Sequence, residues 1–494
     1  MTEALAANQA ADEFCEDCGY EPELKRTLNG FQVFAISFAS LSVAVGIFAT
    51  YDDVLRDSGP VGIWLFPIVA IGQILVALVY AQFAARIPLS GSSYAWASRL
   101  ASPKIGWAFG WLAVISALAS PVTIDNALAS QCLMPLLNME PNETTARIIT
   151  VILLAIQAVL AIAATRIVGW VNSLSVGVEL GILLVIGIAL TVAIVVTGTG
   201  TPANLFSRGI TEGDPNFFAI GGGLMAASIM GLSTLVGFET ASNMAEEAKN
   251  PTRSVPRAII GSVTAASVLG MLFVIILTIS ITDMAKASNS ESPVAEIMNE
   301  RFGPAFERPL LAAITLAFFG AALVSMVSGA RYIYAMSRDG RFPAYKVMRR
   351  VNPKTRTPIP ATLLVLAVGV ILMALMPGDA LLQLILAGAI VTMIPYLLTI
   401  ILYLATRHKL DRKPGGFDLG RWEWPVAIGA LVWVVISLFV VIASSTTPAP
   451  IVIAVGLSAV GALYFAYMWK FDRDVLENEP GDPDMFDEEK VEQS

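Results

Sequence analysis

The chain has 494 residues, of which 56% are hydrophobic and 14% charged, with a mean hydropathy of +0.70. A soluble chain carries about a quarter charged residues, so this composition excludes an ordinary soluble enzyme and points to an all-α protein embedded in a lipid bilayer. The net charge of −8 is local: residues 472–494 hold ten acids against Arg473 and Lys490, which leaves the remainder neutral.

Residues 1–30 read as a cytosolic N-terminal tail, polar and acidic and ending in Lys25-Arg26. It has no apolar core of the kind a cleaved signal peptide needs. Cys15 and Cys18 have metal-like spacing, but there is no second pair and the sole histidine, His408, is remote, so reduced thiols are expected there and no metal or cofactor. Apolar runs then recur at 31–51, 61–85, 105–136, 147–165, 167–197, 216–242, 256–282, 309–336, 359–376, 380–405, 425–444 and 448–469. A bilayer needs about 20 apolar residues per helix, so twelve transmembrane helices are expected. The tail at 470–494 is acidic and poor in apolar residues and reads as disordered.

An even number of spans puts both termini on one side. With them in the cytosol, the outer loops hold Arg56, Arg147, Arg208, Lys286, Arg301 and Arg308, which leaves 25 of the 31 Lys and Arg on the inner side. That is the asymmetry the positive-inside rule predicts for a plasma membrane protein. The loop 338–356 is the strongest inner anchor.

Two segments look interruptible. Residues 40–50 gather Ser40, Ser42, Gly46 and Thr50, and residues 221–237 gather Gly221, Gly222, Gly223, Gly231, Ser233, Thr234 and Gly237. Small residues are also common at membrane helix contacts, so each segment alone has a second explanation. They open two successive groups of five spans, however, at 31–197 and 216–405, with two extra helices at 425–469. This is the pattern of an inverted repeat with two broken helices meeting at mid-membrane. Unwound backbone is tolerated there where it lines a cavity.

The stretch Gly237-Phe-Glu-Thr-Ala-Ser-Asn-Met-Ala-Glu-Glu-Ala-Lys-Asn-Pro-Thr-Arg-Ser-Val-Pro-Arg257 leaves the sixth span and turns a corner through Glu246, Glu247, Asn250 and Pro251. It resembles the sixth-helix signature of the amino acid–polyamine–organocation permeases. Ser42-Val-Ala-Val-Gly-Ile-Phe48 resembles that family's broken first helix. Pro88-Leu-Ser-Gly-Ser-Ser-Tyr94 with Gly110-Trp111, and Ser337-Arg-Asp-Gly-Arg-Phe-Pro343 with Pro358, resemble two of its cytosolic loops. The first-helix wording is most similar to the amino acid/choline branch. The resemblance implies a LeuT-type fold of two inverted five-helix repeats with discontinuous helices 1 and 6. It also implies a substrate-binding turn at Ser42, Val43, Ala44, Val45 and Gly46, facing a second at Ser233, Thr234, Leu235, Val236 and Gly237. Many relatives carry Gly-x-Gly in the first turn where this chain has Ala44-Val45-Gly46. A methyl at position 44 is expected to narrow the approach of an α-carboxylate, which favours ω-amino acids, polyamines or other amines.

Three acids fall within apolar spans, where a carboxylate is costly unless it faces protein or water. Glu179 is mid-way along the fifth span. Burial disfavours a carboxyl's charged form, so Glu179 is expected to exchange a proton and couple transport to it; a structural hydrogen bond is the alternative. Asp125 is expected either to attract a substrate ammonium or to cap a helix irregularity after Pro121. Glu239 is expected to be structural, close to the cytosolic corner.

No nucleotide-binding Gly-Lys-Ser/Thr loop or metal cluster is present in the sequence, which excludes a self-contained ATP-driven pump and offers no enzyme chemistry. No feature points to nucleic acid. The expectation is a secondary-active permease importing an amino acid or related small amine with a proton. The alternatives are an exchanger without net proton movement and a non-transporting substrate sensor.

Overall fold

The computed structural model describes residues 26, 28–89, 91–140, 142–163, 165–290, 292–352, 355, 357–375, 380–410, 412, 416–445 and 447–477. Cys15, Cys18, nearly all of the N-terminal tail and the acidic stretch from residue 478 lie outside them. Among the described residues ten helices are long and apolar enough to cross a membrane, and two shorter apolar helices span Gly223–Thr234 and Ile359–Leu375. The twelve expected spans therefore correspond to ten long helices and two short ones. The sixth is short because it is interrupted.

The first span contains α1 (Gly30–Leu41) and α2 (Val43–Asp57). They are separated by Ser42, whose φ of 45° and ψ of 71° place it in the left-handed region. A non-glycine residue rarely adopts this conformation, and here it ends one helix and begins the next at mid-membrane. Next come α3 (Leu65–Arg86), the short α4 (Ser92–Leu100) and α5 (Pro103–Ala127), which continues as a wider π turn over Leu128–Leu133. α6 (Glu143–Ala163) and α7 (Thr165–Thr197) complete the first half.

The second half opens with α8 (Ser228–Thr234), which stops at Leu235; a non-helical stretch through Gly237 (φ 99°) leads to α9 (Thr240–Asn243). This is the second interruption. α10 (Pro251–Ser280) begins at Pro251 after Asn250, itself left-handed at φ 50°. Proline suits that first turn because its missing N–H is not needed there. Two outer helices, α11 (Met284–Asn289) and α12 (Pro293–Phe302), precede α13 (Pro304–Arg338), α14 (Ile359–Leu375), α15 (Ala380–Thr406), α16 (Glu423–Ala443) and α17 (Ala449–Phe471).

Packing follows membrane rules, with small residues where backbones approach closely. A β-carbon added at Gly46 would lie 2.3 Å from Thr234 Oγ1, and one at Gly72 would lie 2.0 Å from Trp433. The first contact sets how α2 crosses α8, and the second seats α16 on α3. α16 is also held by a buried ion pair, Arg86 to Glu423 at 3.3 Å, whose carboxylate accepts from Tyr403 O–H at 2.5 Å.

The separated sequence motifs meet at one end of the bundle. Tyr94 O–H donates to Asp339 Oδ2 (2.7 Å). The buried Arg341 lies 3.4 Å from Tyr94 Oη, and Trp107 Nε1–H donates to the Arg341 carbonyl (2.8 Å). The corner after α9 is tied to the N-terminal segment. Leu28 N–H donates to the Glu247 carbonyl (3.0 Å) and Lys249 N–H to the Leu28 carbonyl (2.8 Å), while Arg26 donates to the Ala245 and Ala248 carbonyls (2.9 and 3.2 Å). Glu246 and Glu247 thus belong to a corner whose backbone, more than its carboxylates, does the joining.

Candidate substrate cavity

Both interruptions open onto one cavity of about 270 Å³, walled by residues of α1, α2, α5, α7, α8, α13 and α15. From the expected first turn, Ser42, Val45 and Gly46 line it; from the second, Ser233, Val236 and Gly237 do so. Val43, Ala44, Thr234 and Leu235 are buried but not on the wall. The reason is helical: the first residues of α2 wind away from the cavity as soon as the helix resumes. Ala44 therefore gives no basis for selection through its methyl, and that expectation is corrected.

What Ala44 contributes is its N–H, which donates to Glu179 Oε1 at 3.1 Å. Glu179, 3% exposed, is on the cavity wall. It faces the first turn of α2, where unsatisfied N–H groups and the helix dipole favour negative charge. The fifth-span acid and the first-helix break, 135 residues apart in sequence, are in direct contact.

Asp125 is elsewhere. It is fully buried, off the cavity wall, and accepts from Gln157 Nε2 of α6 at 2.7 Å. On the same helix the wall takes Ser116, Ser120, Thr123, Ile124 and Ala127. Those positions form one helical stripe, and Asp125 points about 100° away from Ile124. The expectation of substrate contact is corrected, and a place next to the irregular π turn, with its amide partner on α6, is what the structure shows.

Glu239 is also corrected, in the opposite direction. It lines the cavity, and its Oε2 accepts from Tyr396 O–H at 2.6 Å. The Tyr396 oxygen in turn accepts from Gly237 N–H at 3.2 Å. Tyr396 is held between Phe238, stacked at 5.2 Å between ring centres, and Tyr80, edge-on at 5.4 Å. Tyr80 O–H donates to Thr399 (3.1 Å), and Tyr332 bonds Asn243 of α9. Sequence reading missed these three tyrosines because they come from three different helices with no shared spacing. The far wall is neutral, with Ser116 and Thr392 paired at 3.0 Å and Ser120 donating to Ser325 at 3.3 Å.

A helical bundle with ten membrane-length apolar helices, enclosing a polar cavity between two interrupted ones, defines a multi-pass membrane protein built around a small-molecule site. Its relatives are consistent with that class. A family model described as amino acid permease matches residues 28–468, and the chain belongs to that family. It is 27% identical over 450 residues to the Amino-acid permease BAT1 homolog of Oryza sativa subsp. japonica, covering 85% of each chain. It is 27% identical over 354 residues to the Low-affinity putrescine importer PlaP of Escherichia coli (strain K12), covering 71% of this chain and 75% of that protein. Among solved structures, a manganese transporter from Eremococcus coleocola superposes with a TM-score of 0.53 at 14% identity, covering 92% of this chain and 99% of that one. That likeness concerns the fold. The chain is a permease, not an enzyme.

Proposed function

We propose that this permease is a secondary-active importer of an amino acid or related small amine. It works by alternating access in a LeuT-type arrangement, with residues 31–197 and 216–405 as the inverted repeats and 425–469 as an added helix pair. The membrane is the plasma membrane, with both termini cytosolic, as the distribution of basic residues favours. The observation that carries the reading is the contact of Glu179 with the N–H of Ala44, because it joins an ionisable group directly to the interrupted helix beside the cavity. Ser42, Val45, Gly46, Ser233, Val236 and Gly237 form the substrate turns on this reading.

Coupling follows from differential preference. A proton gradient drives uptake only when the protonated and ionised proteins favour different orientations. Glu179 is the only charged side chain between Ile167 and Val196, so the charge of its helix within the membrane rests on that one proton. Glu179→Gln imitates the protonated form and keeps an oxygen for Ala44 N–H. In proteoliposomes the variant is expected to retain substrate binding and amine-for-amine exchange while losing accumulation driven by external acid. Accumulation with the wild-type dependence on external pH would move the proton site elsewhere.

A further inference from the structure

The described cavity wall carries two carboxylates, Glu179 and Glu239, and no lysine, arginine or histidine. The two are not equivalent. Glu179 faces a helix N-terminus, so its charge is partly answered by the protein. Glu239 receives Tyr396 O–H at 2.6 Å, a length in the range of charge-assisted O–H···O⁻ bonds. Besides Tyr396 it meets only backbone N–H groups, of Gly237 and its own, and no cationic side chain. A buried carboxylate is normally paired with a positive charge, and here the protein supplies none.

We infer that the substrate supplies it: the transported species carries net positive charge, with an ammonium that its own carboxylate does not neutralise docked at Glu239. This rests on the permease reading and narrows its substrate class. The surroundings suit a cation, since the rings of Tyr80, Tyr332 and Tyr396 share this part of the cavity and aromatic rings attract ammonium groups. A zwitterion is less well served. Its carboxylate needs N–H donors from the breaks, and those of Ala44 and Gly237 are already bonded to Glu179 and Tyr396. Ser42 Oγ, on the wall and 5% exposed, has no protein partner and is placed to meet a polar ligand group. The hydroxyls of the far wall offer neutral oxygens to the remainder of a short unbranched amine.

The test uses the full-length protein in proteoliposomes and three probes with the same four-carbon skeleton: putrescine, n-butylamine and γ-aminobutyrate. Putrescine and n-butylamine are expected to bind at least about tenfold better than γ-aminobutyrate, the factor a single charge pair readily supplies. Glu239→Gln should cut that preference by about tenfold, and Glu239→Asp should keep most of it. Melting temperatures identify a variant that has lost its fold, and Glu239→Asp keeps the comparison informative in that event. Accumulation of γ-aminobutyrate as effective as that of the cations overturns the inference while the permease reading stands. So does a preference unaltered in Glu239→Gln. If no amine or amino acid of any charge is accumulated, the permease reading fails and this inference falls with it.

Discussion

The crossing of α2 and α8 is the most sharply constrained contact in the cavity wall, and Gly46→Ala tests it. The added β-carbon would lie 2.3 Å from Thr234 Oγ1, 2.8 Å from its Cβ and 2.9 Å from its Cα. Carbon atoms pack at about 3.5–4.0 Å, so rotation of the threonine hydroxyl cannot relieve the clash. Thr234 Oγ1 also donates to the Met230 carbonyl at 2.6 Å, which holds the rotamer. The two helices must separate, at a cost of about 1–3 kcal/mol for an overpacked contact. If that cost falls on one orientation only, the populations shift by roughly tenfold to a hundredfold. The measurements are the initial rate of labelled-amine uptake and the melting temperature of the detergent-solubilised protein. Both should fall, and Thr234→Ala should restore them only in part, because the clash with Cα remains. Wild-type uptake and melting in Gly46→Ala would refute the reasoning, as would complete rescue by Thr234→Ala.

Three further outcomes are expected. Asp125→Asn keeps an acceptor for Gln157 away from the cavity, so substrate affinity should be unchanged in a competition assay; a weakened affinity at unaltered melting temperature would return Asp125 to the site. Glu423→Ala leaves Arg86, 3% exposed, with Gln82 and the half-buried Asp418, and the loss of one buried partner costs about 3–5 kcal/mol, read as a clear fall in melting temperature. At the cytosolic end of α13, burial pushes the Asp339 carboxyl above its ordinary range, against the opposing effects of Tyr94 and the nearby arginines. The folded state then holds this proton more tightly than the unfolded one. Its contribution is therefore greatest below the ordinary Asp range and is lost as pH rises through the raised value. Asp339→Asn should flatten that part of the melting profile.

Much of the fold was legible because its signals are local. Membrane-length apolar runs mark helices wherever they occur, and both interruptions lie in the glycine- and hydroxyl-rich segments, at Ser42 and at Leu235–Gly237. Glu179 was legible as a lone charge in a long apolar helix. Asp125 was misread because a charge in a helix shows its depth but not its phase. The phase was nevertheless written in the same helix, as the stripe of small and hydroxyl residues from Ser116 through Ser120 to Thr123. Glu239 was misread by its nearness in sequence to the polar corner at Glu246. The unwound stretch before it turns the chain, so that a residue near the corner still reaches the cavity. Tyr80, Tyr332 and Tyr396 carry no signal of their own in a sequence with 11 tyrosines.

The two interruptions share a physical problem and solve it in different ways. Backbone N–H groups freed at membrane depth must find acceptors. At the first break Ala44 N–H finds a carboxylate on α7; at the second Gly237 N–H finds the Tyr396 oxygen, whose own proton goes to Glu239. The second arrangement is closed within itself, as a chain of N–H to phenol to carboxylate on the same wall. The first depends on the charge state of a single group. A hydrogen bond to an ionised acceptor is roughly twice as strong as one to a neutral acceptor, and the dipole of α2 favours the ionised form further. On the proposed coupling, protonation of Glu179 therefore loosens the hold of α7 on α2 while leaving the Tyr396–Glu239 chain at the second break unchanged. This asymmetry assigns the proton-responsive step to the first interruption and the recognition of the substrate's charge to the second.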